Sequence, residues 1–283
     1  MKSFDKANVN TDEVRNQVVQ RIGEIITDIL GKDQLQKVFE QPEHNAAYIE
    51  ANEKGTPSGF IALDLGIVDS ETKNALLVAQ AAERTARNAM LAREVLAGNK
   101  IDEEQLISSE DDVFKYVGSD KDPQNLVEAQ ANWQISQIFL NATVHNQNAQ
   151  ARRDKGEVLG APEEEFYFAD DKKNATGAFL AFAAASYSKA AVILKSKGWE
   201  EAATKLAAVA ESIDPDESYS TTPNDIAHSY RYDLLQYAQT MDITTGPGHV
   251  PDDIADLAEK LANLTSNQSI GSAPENKAKP ANG

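Results

Sequence analysis

"ANWQISQIFLNATVHNQNAQ", residues 131–150, carries no formal charge when His145 is neutral, in a chain where 25% of residues are charged. Between Pro123 and Ala151 the only charged side chain is Glu128, while eleven residues are Asn or Gln. Apolar residues recur at helical spacing along two stripes. One is Val127, Ala131, Ile135, Ile138, Ala142 and Ala149, and the other is Leu126, Trp133, Leu140, Val144 and Ala151. Two apolar stripes with amides between them predict a helix surrounded on most sides. Burying a charge is costly unless it is paired, whereas a buried amide is satisfied by neutral hydrogen bonds. The stretch therefore reads as a central helix that is polar but not ionic. An amide-lined contact surface and a polar ligand cavity stay open as alternatives. The helix is expected to start near Asp122–Pro123 and to end near Lys155–Gly156. Arg152, Arg153 and Lys155 suit the negative end of its dipole.

Working outward, most of the chain repeats the helical period. Thr11 caps a helix whose apolar positions are Val14, Val18, Ile22, Ile25, Ile26 and Leu30, and Gly31 ends it. A short helix is expected in "KDQLQKVFEQ" (32–41), and another begins at Pro42. "GTPSGFIALDLGIVD" (55–69) breaks the pattern, so Phe60 to Val68 is expected to be a short strand or an extended buried connector. "EFYFA" (165–169) is the other strand-like run. Asp69 or Ser70 opens a long helix to about Ala97, with Gly98 and Asn99 as its stop. Within it Ala75, Ala79, Ala82, Ala86 and Ala89 form a small-residue seam that admits a close partner helix. Arg84, Arg87 and Arg93 alternate with Glu83 and Glu94 as a solvated face. Carboxylates cluster in the first turns of "DEEQLIS", "SEDDVFKYVG", "PEEE" and "PDDI", where the helix dipole favours them.

The fold class predicted is all-α: a bundle of about eight to ten helices, several of them long, with one minor extended element. One helical domain is expected over 11–265, with a candidate subdivision near 99–121. Residues 1–10 are expected to be a flexible N-terminus and 266–283 a disordered tail. The full chain has 283 residues and 41% hydrophobic content, enough for a sizeable core.

Composition excludes several chemistries. Lys and Arg total 27 against 45 Asp and Glu, a formal charge of −18 that repels phosphate backbones and argues against nucleic acid as a partner. With no cysteine, thiol nucleophiles, disulfides and thiolate metal sites are absent. "MKSFDKANVNTDEVRNQ" has no apolar core of a signal peptide, so a cytoplasmic or intracellular location, including a virion component, is expected. "ATGAFLAFAAASYSKAAVIL" (175–194) matches a bilayer in length. Its small residues and Lys189 favour a buried helix instead, so a membrane partner is not expected.

Two local resemblances emerge on the C-terminal side. Helices over about 171–196 and 198–215 carry Tyr187, Ala191, Gly198, Ala203, Ala210 and Pro215 at spacings that resemble one tetratricopeptide unit. The aromatic usual early in the second helix is absent at Glu200, although Trp199 adjoins it. The resemblance covers about 34 residues and has no second copy. It implies an αα-hairpin, not a peptide-binding solenoid. "GPGHVP" (246–251) resembles a loop of the radical-SAM pyrimidine synthase of thiamine biosynthesis. That family needs a cysteine-ligated cluster, which this chain cannot hold, so the run reads as a turn before a helix.

Catalytic signatures are missing. There is no HExxH, GxSxG, phosphate-binding GxxxxGK[ST], or GxGxxG after a strand. Asp225 and His228 occupy i and i+3, but helical di-metal sites need that motif twice. No metal and no cofactor is expected. The candidate binding residues are Trp133, Gln137, Asn141, His145 and Asn148, together with His228, Arg231 and Tyr232 in "TPNDIAHSYRYDLLQYAQTM" (222–241). The function expected is that of a non-enzymatic interaction or structural protein, a subunit of a larger assembly such as a viral or phage particle. Its partner would be another protein or a second copy, met through amide-rich and small-residue helix faces. The alternative is a small-molecule binder or enzyme with a polar pocket between helices.

Overall fold

Small side chains set the layout. In helix α5 (Ser70–Leu96) the alanines 75, 79, 82, 86 and 89 are all buried. A seam without bulk lets neighbouring axes approach closely, and α5 takes two long neighbours, α6 (Gln124–Arg153) and α7 (Lys172–Ser196). The structure, a computed structural model, describes residues 11–101, 123–160 and 172–213. Among these there are eight helices and no strand. The others are α1 (Thr11–Leu30), α2 (Lys32–Phe39), α3 (Pro42–Glu53), α4 (Ser58–Asp64) and α8 (Glu200–Ser212). The described residues form an all-α bundle. The hub is α5, with α6 and α7 against it, α8 folded back on α7, and α1 to α4 gathered at one side through α1.

The boundaries of α5 follow from its sequence. Asp69 adopts extended backbone and its Oδ1 accepts the Thr72 amide at 2.7 Å, an N-cap of the ordinary kind. At the other end Gly98 takes φ 92°, the left-handed conformation that closes a helix. Its charged face is solvated at Glu83, Arg93 and Glu94, while Arg84 and Arg87 lie half-buried.

The expected αα-hairpin is present. Gly198 turns the chain with φ 83°, and Tyr187, Ala190, Ala191 and Leu194 are buried on α7 along with Trp199, Ala202, Ala203 and Leu206 at and after the turn. Pro215, the last residue of the resemblance, lies outside the described residues. A clamp ties this turn to the hub: Lys197 Nζ is 2.7 Å from both Asp69 Oδ2 and Glu71 Oε2. The Ala175–Ser196 portion of α7 is long and apolar enough to cross a bilayer by length and composition, and half of its apolar window is buried against the rest of the protein.

One expectation is overturned. Phe60 to Val68 is neither strand nor extended connector: Ser58–Asp64 is helix α4, preceded by Pro57. The run is apolar and short, which leaves the period ambiguous. What decides it is a contact with α1. Gly59 sits so close to α1 that a β-carbon there would lie 2.2 Å from the Gly23 carbonyl oxygen. Its N–H, an orphan donor in the first turn of α4, donates to Thr27 Oγ1 at 2.8 Å. Thr27 Oγ1 in turn donates to the Gly23 carbonyl at 2.8 Å. Ile61 and Ala62 are thereby buried, and beyond Gly66 (φ 71°) the Val68 N–H bonds back to Ala62 O at 3.0 Å. The second strand-like run at 165–169, the subdivision over most of 99–121, both tails and the helices expected after 213 lie outside the described residues.

Candidate functional site

The amide-rich stretch forms one continuous helix, α6, and its enclosure is nearly complete. From Leu126 to Gln147 no residue is exposed. Buried within it are Gln130, Asn132, Ser136, Thr143 and Asn146 as well as the apolar stripes. Phe139 of α6 meets Phe179 of α7 with ring centroids 5.7 Å apart.

Several polar groups of α6 are answered by α5 and by α6 itself. Asn88 Nδ2 of α5 donates to Ser136 Oγ at 3.0 Å, and Ser136 Oγ donates to the Trp133 carbonyl at 2.7 Å. Ser136 has no solvent exposure, so this relay is a fully interior polar bridge between two helices. Further along, Gln147 Nε2 donates to the carbonyls of Val95 at 3.3 Å and Asn99 at 2.9 Å. It thus ties α6 to the end of α5, adding a second donor to the Val95 carbonyl, which already accepts the Gly98 N–H at 3.0 Å. Thr143 Oγ1 bonds back to Phe139 O at 2.8 Å, and Thr85 Oγ1 to Ala81 O at 2.9 Å. Such a seam fixes the rotation and register of α6 against α5, because sliding either helix would strand interior donors.

The five α6 residues singled out from sequence run along one strip from core to surface. Trp133 is 4% exposed; Gln137, Asn141 and His145 are half-buried; Asn148 is exposed. Gln137 Nε2 donates to Asn141 Oδ1 at 3.2 Å, so two of the five bond to each other. His228, Arg231 and Tyr232, with Asp225, lie outside the described residues. Among the described residues no group of three or more His, Asp or Glu side chains is placed to hold a metal ion. No family model, curated protein or solved structure matches this chain.

Asn88 is the seam residue the sequence reading missed. It lies in a charged stretch, yet Ala81, Thr85, Asn88 and Ala92 follow one another at steps of four, three and four, and all are buried. That spacing was the available signal.

The shifted acid–base groups lie away from this seam and serve the fold. The Lys197 hydrogen bond, then that of the Thr72 amide, holds the Asp69 carboxyl down to about 2. Lys197 is pushed up to about 12 by its hydrogen bonds to Asp69 and Glu71. Burial raises the Tyr187 phenol above its ordinary range, and the Glu83 carboxylate adds to it.

Proposed function

We propose that this chain is a non-enzymatic helical subunit of a larger protein assembly, joined to further copies of itself or to a different protein. The shell or accessory parts of a virus or phage particle belong to this class. The observation that carries the proposal is the polar seam between α5 and α6. The Asn88–Ser136 bridge and the Gln147 bonds to the Val95 and Asn99 carbonyls hold α5 and α6 in register, which is the work of a framework. Contacts with a partner then fall to outward positions such as Ala185, Ser188 and Val192 of α7, an uncharged line at steps of three and four. The charge of −18 favours a protein partner over nucleic acid.

Size-exclusion chromatography with light scattering, over a wide concentration range and with extract from the native source, tests this. A defined oligomer or a stoichiometric protein complex is expected. A strict monomer at every concentration, with no stoichiometric protein partner, contradicts it. The half-buried polar strip Gln137, Asn141 and His145, ending at exposed Asn148, supports a second reading as a small-molecule binder. A monomer whose melting temperature rises with a polar metabolite, and whose response is lost in Asn141→Ala, would favour that reading.

A further inference from the structure

We draw no further inference here: the strongest candidate, the outward face of α7 carrying Ala185, Ser188 and Val192, names no occupant, because nothing in the structure shows what covers it.

Discussion

Replacing Gly59 with alanine adds a single methyl group, and the α1–α4 crossing has no room for it. The new β-carbon would lie 2.2 Å from Gly23 O, 2.7 Å from Ile26 Cβ and 2.8 Å from Thr27 N. The first distance falls 1.2 Å short of the 3.4 Å at which ordinary contact begins. Two of the three atoms are backbone and the third is a β-carbon, so no rotamer change relieves the clash. Helix α4 must retreat by about an ångström, which stretches the 2.8 Å Gly59–Thr27 bond beyond hydrogen-bonding range. Overpacking of this kind costs about 1–3 kcal/mol, and a stranded interior N–H costs about 1–3 kcal/mol more. Alanine's helix propensity returns at most about 1 kcal/mol. The net expectation is a loss of about 1–5 kcal/mol, read as a lower midpoint in urea denaturation followed by far-ultraviolet circular dichroism. Gly160→Ala, where a β-carbon meets nothing within 4 Å, is the control and should be neutral. Thr27→Val removes the same hydrogen bond from the other side, so its cost and that of Gly59→Ala should be less than additive. Gly59→Ala as stable as the parent would refute the close crossing and the seating of α4 on α1.

Three further outcomes follow from contacts elsewhere in the bundle. Asn88→Ala removes the donor that bridges α5 to Ser136 and should cost about 1–2 kcal/mol in the same denaturation assay. Asp69 is held at about 2, below the ordinary carboxylate value of about 3.9. Its ionised form therefore favours folding fully above about pH 4, and that contribution fades as pH falls towards 2. Asp69→Asn keeps a capping side chain but loses the charge, so parent and variant should differ at pH 7 and converge near pH 2 in thermal melts. Tyr187 titrates above its ordinary value of about 10 because burial resists the phenolate. The folded form thus loses stability as pH rises past about 10, and Tyr187→Phe should flatten that alkaline decline in a pH series of melting temperatures.

The legible parts of the sequence were those where one residue type settles a local question. Asp69 and Gly98 bracket α5, Gly31 separates α1 from α2, and the missing charges of α6 announce its burial. Ambiguity began where the deciding atom belongs to a distant segment. "SGFIALD" is too short for its period to speak, and its helical state rests on Thr27 and Gly23, more than 30 residues away. The missing charges of α6 and the alanine seam of α5 were both legible, but not which of the two helices would take the most neighbours; closeness of approach is set by small side chains, and α5 carries that seam. For the candidate site, periodicity placed Trp133, Gln137, Asn141, His145 and Asn148 on one strip. It did not reveal the partner across the seam, because Asn88 sits among arginines and glutamates that mask its inward position.

The enclosure of α6 is tested most directly by comparing Asn132→Asp with Asn148→Asp. Both exchange an amide for a carboxylate of the same shape on the same helix. Asn132 is 7% exposed, while Asn148 stands in solvent. At pH 7 the Asn132→Asp carboxylate should cost at least ~2 kcal/mol in urea denaturation, relieved in acid as the buried group takes up a proton. Asn148→Asp should stay within about 0.5 kcal/mol of the parent. Equal, small effects at the two positions would mean that water reaches α6 on all sides, contradicting the account of a neutral helix built to be enclosed.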